Sequence, residues 1–337
     1  MTAAAIFGCT GTALSDDERA FFRDVDPWGF ILFARNIDTP VQVRRLTRAL
    51  RDSVGRDAPI LIDQEGGRVA RLRPPHWRGW SPALATATAD TLDEDERCEA
   101  LRLRYRLIGA ELAGVGIDVN CAPLLDIPVT GAHDIIGDRA LGRTADEVIR
   151  RGRAVYDGLL HAGVLPVIKH VPGHGRAGAD SHEALPRVDG ALDDLAETDF
   201  RPFAALCDAP LAMTAHIVYE ALDPDSCATL SPTVMRYIRE NLGVSGLVMS
   251  DDLSMKALEG DFGMRTTLAL DAGCDLVLHC NGDAKEMTAI AQTLRPLTAV
   301  AEERSVRALA MRQAAETDIA ASVARYATLA DRGGFHV

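Results

Sequence analysis

A basic field is what this chain most plainly lacks: 36 Lys and Arg stand against 49 Asp and Glu, a formal charge of −13 at pH 7. Proteins hold nucleic-acid backbones through arrays of cations that neutralise phosphates, so a nucleic-acid partner is not expected. Long apolar runs are also missing. None approaches the ~20 residues that a bilayer span requires, and no membrane partner is expected either. The seven cysteines, Cys9, Cys98, Cys121, Cys207, Cys227, Cys274 and Cys280, are odd in number, scattered and without a CxxC pair. That spacing suits neither a disulfide framework nor a zinc site and reads as free thiols in a reducing compartment. The opening "MTAAAIFGCT" carries no Lys or Arg ahead of its apolar residues, unlike a secretory signal, which points to the cytoplasm.

What the chain does have is a repeated alternation. Short runs rich in Val, Ile, Leu and Phe recur at Ala4–Cys9, Gly29–Phe33, Pro59–Asp63, Ile117–Ala122, Leu165–Lys169, Leu211–Ala215, Leu247–Ser250 and Cys274–His279. Longer amphipathic stretches separate them, among them Asp93–Ala113, stopped by Gly114, and Ala145–His161, stopped by Gly163. Strands buried on both faces alternating with helices mark a parallel α/β architecture. Eight such units in 337 residues fit a (β/α)8 barrel. A doubly wound open sheet shares this local grammar and stays open as the rival. With no linker, low-complexity tract or internal repeat, the sequence predicts a single catalytic domain over 1–337, with about 283–331 as outer C-terminal helices.

Barrel enzymes work at the C-terminal ends of their strands, and here the polar residues crowd just after the apolar runs. In "GLVMSDDLSM" strand alternation puts Leu247, Met249 and Asp251 on one face, toward the mouth, while Asp252 points away, where it could cap a helix beginning near Leu253. Both aspartates could equally be caps. The segment from Lys169 to Asp189 holds Lys169, His170, His174, Asp180 and His182, with Gly173, Gly175 and Gly178 expected to make it mobile. In an extended loop Asp180 and His182 share a face, so the carboxylate can fix the imidazole tautomer and favour its charged form, as suits a general acid and base; a loop-bracing hydrogen bond is the plainer alternative. Asp63, Arg68, Arg71, Arg139 and Lys169 read either as a clamp for sugar hydroxyls or as salt bridges on the rim, the latter especially for Arg68.

Two further chemistries fit these residues less well. Four histidines near strand ends, His170, His174, His182 and His216, would suit a metal-dependent hydrolase. Yet no HxH pair is present at the first catalytic-looking strand, and Pro172 breaks the helical spacing of His170 and His174, so no metal is expected. The "EGG" at Glu65–Gly67 lacks both GxGxxG order and a P-loop lysine and makes a weak phosphate loop.

In order along the chain, "IDQEGGRVARL", "IGDRALG", "KHVPGHG", "ADSHEALP", "MTAHIVYEALDP", "ATLSP" and "VMSDDLSM" resemble the β-N-acetylhexosaminidases of glycoside hydrolase family 3, over about Gly29 to Cys280. More narrowly, the chain resembles the single-domain bacterial type that acts in peptidoglycan recycling. The resemblance implies a nucleophile at Asp251, an acid/base at His182 assisted by Asp180, and sugar contacts from Asp63, Arg71, Arg139, Lys169 and His170. It implies a retaining double displacement on muropeptides in the cytoplasm by a monomer, with no cofactor, and a glycine-rich loop that closes over bound sugar. One departure is Val171, where the pattern carries an aromatic. Action on β-glucosides, transfer to phosphate, metal-dependent hydrolysis and sugar binding without turnover are the competing functions.

Overall fold

The computed structural model describes residues 1–129, 131, 134–178, 184–313 and 318–335. Its centre is a closed parallel barrel of eight strands, in spatial order β1 (Ala3–Gly8), β10 (Leu276–His279), β9 (Leu247–Asp252), β7 (Leu211–Thr214), β5 (Leu165–Val171), β4 (Val119–Asn120), β3 (Ile60–Ile62) and β2 (Pro27–Leu32). The remaining two, β6 (Arg187–Val188) and β8 (Val218–Tyr219), form a small parallel ladder apart from the barrel. Closure is made by β1, which pairs with β10 through Ala5 and Val277 and with β2 through Phe7 and Phe30. An open doubly wound sheet has no such seam, and that alternative falls.

Side chains fill the barrel in layers, as eight-stranded barrels require. Ile6, Ile31, Leu61, Val119, Val167, Leu211, Met249 and Leu278 point inward, while Phe7, Phe30, Ile62, Ile168, Ala212 and Val248 face the surrounding helices. Burial on both faces is why the strands read as continuous apolar runs. At the N-terminal end the helix Ala299–Ala310 closes the barrel: Ala301 and Ala308 join the inner cluster, and the Trp28 indole N–H donates to Ser305 Oγ at 2.7 Å. The helix Ile319–Gly333 instead lies against Glu94–Ala113, with the Tyr326 and Trp80 rings 5.6 Å apart and Arg325 paired with Glu99.

Capping chemistry sets the helix ends where expected. Asp93 and Glu96 form a capping box that starts Glu94–Ala113, and Thr144 and Glu147 another that starts Ala145–His161. Three expectations need correction. β4 shrinks from Ile117–Ala122 to Val119–Asn120, because side chains replace ladder bonds: Asp118 accepts from the Ile60 N–H, and the Asn120 amide bonds both the N–H and C=O of Gln64. β9 runs on through Asp252, past the expected Ser250. No helix begins near Leu253; the next starts at Phe262, capped by Asp261. Among the described residues no helix is long and apolar enough to cross a membrane.

Candidate active site

Strand periodicity carries the chemistry to one end of the barrel. Leu165 and Val167 on β5 are inward residues, and Lys169 follows them two positions on; Leu247, Met249 and Asp251 repeat the pattern on β9, as do Leu61 and Asp63 at β3. Asp63, Arg71, Arg139, Lys169, His170 and Asp251 thus line a single cavity of about 210 Å³ at the C-terminal mouth. A larger groove of about 820 Å³ lies at the opposite end beside Trp28 and Glu302, away from every strand terminus that carries the polar motifs.

Lys169 is buried to 2% side-chain exposure and is held between two carboxylates, 2.9 Å from Asp63 Oδ1 and 2.6 Å from Glu65 Oε1. Arg71 donates to the other oxygen of Asp63 at 3.3 Å, and Arg139 makes a two-pronged contact with Glu65, both bonds 2.9 Å. Burial alone would push the Asp63 and Glu65 carboxyls up, but their cationic neighbours outweigh it and hold both below the ordinary range. Lys169, which burial alone would discharge, is held charged by the same two carboxylates, its pKa raised. Three cations face two anions in this set, and Asp251 supplies the third negative charge to the cavity. Glu65 has a structural task here that the sequence reading missed. In the "EGG" turn Gly66 sits at φ 100°, where a Cβ would collide with the buried Arg104 guanidinium.

Asp126, also missed, is fully buried and organises the next segment. Its Oδ2 accepts the His170 Nδ1–H at 2.7 Å, and its Oδ1 accepts the backbone N–H groups of His170 and His174 at 3.2 and 2.6 Å. The carboxylate assigns the proton of His170 to Nδ1 and leaves Nε2 for the cavity. The glycines expected to loosen this segment do the reverse at Gly175, where a Cβ would stand 1.7 Å from the Ile127 carbonyl; the residue permits a close crossing of two backbones. Val171 is wholly buried and pairs with Thr214 of β7.

Burial, then the neighbouring charge of His170, lowers the His174 pKa to about 4. Burial also lowers that of His216, which is fixed between Thr229 Oγ1 and the Asp252 carbonyl. A histidine neutral in the fold but protonated in the unfolded chain, with its ordinary pKa of 6.5, makes stability fall as pH drops from 6.5 toward 4. The His174 share is about 3 kcal/mol at most. The urea midpoint is expected to drop between pH 7 and pH 5, and to drop less in His174→Gln; a midpoint unchanged by pH would refute this.

Asp251 and its neighbour divide their work. The Asp252 N–H donates to Asp251 Oδ1 at 2.8 Å, fixing that carboxylate's orientation, and Thr214 Oγ1 accepts from the Asp251 N–H at 3.3 Å. Asp252 itself accepts from the Ser254 N–H, the Ser254 hydroxyl and the Cys280 N–H, so it closes a turn and ties β9 to the end of β10 rather than capping a helix. Arg68 pairs with Asp138 at 2.9 Å and donates to the carbonyls of Asp134 and Ile135, the rim salt bridge read for it from the sequence. Asp180 and His182 lie outside the described residues. A carboxylate held at a fixed angle beside a hydrogen-bonding cage of both signs suits attack on a polar, hydroxyl-rich substrate.

Residues 9–313 match the family described as the glycosyl hydrolase family 3 N-terminal domain. The beta-hexosaminidase of Bordetella pertussis is 36% identical over 324 residues, covering 94% of this chain and 90% of its own. That of Idiomarina loihiensis is 35% identical over 278 residues, covering 81% and 82%. Among solved structures, NagZ from Neisseria gonorrhoeae in complex with N-trifluoroacetyl-D-glucosamine superposes with a TM-score of 0.86 at 26% identity, over 98% of both chains. The family 3 β-N-acetylglucosaminidase from Paenibacillus has a TM-score of 0.80 at 32% identity; 98% of this chain aligns to it, spanning 61% of its length.

Proposed function

Because this chain belongs to glycosyl hydrolase family 3 and is a glycoside hydrolase, we propose that it is a retaining exo-β-N-acetylglucosaminidase, removing terminal non-reducing GlcNAc from muropeptides such as GlcNAc-1,6-anhydroMurNAc. The proposed setting is peptidoglycan recycling in the cytoplasm, the enzyme working as a monomer. The observation that carries the reading is Asp251, its carboxylate oriented by the Asp252 N–H, in one sugar-sized cavity with Asp63, Arg71, Arg139, Lys169 and His170. The names of the relatives, and the N-trifluoroacetyl-glucosamine in the Neisseria NagZ complex, support the choice of sugar.

The chemistry follows from these groups. A carboxylate offers about four acceptor positions; Asp63 gives two to Lys169 and Arg71 and keeps the others for hydroxyls of the sugar. Arg139 has N–H groups left to donate to the sugar, and His170 presents Nε2 to it. Asp251 attacks the anomeric carbon while His182, assisted by Asp180, protonates the departing oxygen. The C–O bond breaks and a covalent glycosyl-enzyme forms. Water deprotonated by His182 then attacks the same carbon, expelling Asp251 and restoring the β configuration.

Incubation of the purified protein with GlcNAc-1,6-anhydroMurNAc, followed by proton NMR, tests this. Free GlcNAc that is first β and only later mutarotates is expected, with aryl β-GlcNAc cleaved far faster than aryl β-glucoside. First-formed α-GlcNAc, GlcNAc 1-phosphate as the product in phosphate buffer, or no release would overturn it.

A further inference from the structure

The helix Glu94–Ala113 turns Leu101, Arg104, Tyr105, Ile108 and Leu112 inward at helical spacing, and so sets an arginine with no exposed surface in an apolar stripe. No carboxylate pairs with Arg104 among the described residues. Its Nη2 donates to the carbonyls of Ser81 and, at 3.0 Å, Glu65; its Nη1 donates to the Pro82 carbonyl at 3.4 Å and to Thr86 Oγ1 at 3.3 Å. Its Nε has no hydrogen-bond partner among the described residues. The Trp80 and Tyr105 rings flank the guanidinium, their centres 5.8 and 5.6 Å from its carbon.

A charge held away from water without a counter-ion is a costly way to fill a core, and methionine would occupy the same space without it. What the guanidinium supplies is convergence. Its rigid fork gathers the carbonyls of Glu65, Ser81 and Pro82, which a compact ammonium could not span. The Glu65 carbonyl also accepts the Tyr105 hydroxyl at 3.0 Å, so two consecutive residues of an outer helix clamp one peptide group. At the other end of the same residue, the Glu65 carboxylate ties Lys169 to Arg139, both of which line the cavity. We propose that Arg104 and Tyr105 are positioning residues for the reaction: from outside the barrel they fix the backbone of Glu65 and, through its carboxylate, the two cations at the sugar. The inference rests on the proposed glycosidase activity and adds to it two residues that act without touching substrate.

The test is steady-state kinetics on aryl β-GlcNAc well below the unfolding temperature, with the folded fraction of each variant followed by circular dichroism. Arg104→Lys is expected to lower kcat/KM roughly ten- to hundredfold, and the nearly isosteric Tyr105→Phe about three- to tenfold, both chiefly through kcat. In a Glu65→Gln background Tyr105→Phe should bring no further loss, because the tie it positions is already gone. A role confined to holding the fold together would lower the urea midpoint and leave turnover per folded molecule unchanged. Turnover of folded Tyr105→Phe within about twofold of wild type, or losses that multiply with that of Glu65→Gln, would overturn the assignment. If Arg104→Lys does not fold, Tyr105→Phe carries the test alone. Failure of the wild type to cleave aryl β-GlcNAc would instead remove the glycosidase reading, and with it the reaction these residues serve.

Discussion

Asp251→Asn is expected to leave a folded protein whose kcat on aryl β-GlcNAc is lower by at least about 10⁴-fold, the scale on which loss of a covalent nucleophile is felt. The substitution is nearly isosteric. Asparagine Oδ1 can still accept the Asp252 N–H that now meets the carboxylate, so the local geometry survives. What disappears is the anionic oxygen that forms the bond to the anomeric carbon, and the negative charge that balances the cations lining the cavity. Thermal unfolding should change little while turnover vanishes. Near-normal turnover would remove Asp251 from the mechanism; an unfolded variant would show instead that its role is structural.

The second large effect concerns Glu65, whose carboxylate is 3% exposed and ties Arg139 to Lys169. Glu65→Gln leaves two buried cations with only Asp63 between them, and removal of one partner from a buried ionic set costs about 3–5 kcal/mol. Denaturant unfolding should show that loss at pH 7. Activity should fall further than stability explains, by ~10²-fold in kcat/KM, because both cations drift from the positions at which they meet the sugar. Adding Lys169→Met removes one surplus charge and is expected to recover part of the stability but none of the activity, a coupling visible in a double-mutant cycle. Additive stability losses in that cycle would refute the account.

How far the sequence led can be traced residue by residue. Strand alternation placed Leu247, Met249 and Asp251 on one face, and the structure puts all three inside the barrel or at its mouth. The apolar runs showed a parallel α/β fold, because strands buried on both faces cannot hide their composition, and their number favoured a barrel; the open sheet stayed possible until β1 was seen to pair with β10. Glu65 and Asp126 were illegible for the same reason as each other: their partners stand 74 and 44 residues away, and nothing local distinguishes a buried carboxylate from a solvated one. The helix expected near Leu253 failed because an aspartate at a strand end can close a turn as well as a helix, and Asp252 found Ser254 and Cys280 first. Gly175 misled in a similar way. A glycine marks either freedom or a tight crossing, and only the facing Ile127 carbonyl tells which.

The seam between the first and last barrel strands has a consequence for synthesis. Ala5 finds its partner at Val277, and Ala4 donates to the Arg295 carbonyl, so the ring cannot be completed on the ribosome until the segment that carries both partners has emerged. Until then the leading strand and the interior that Ala299–Ala310 later stoppers stay open to water, and a nascent chain paused before that point offers an adhesive edge to chaperones or to other unfinished copies.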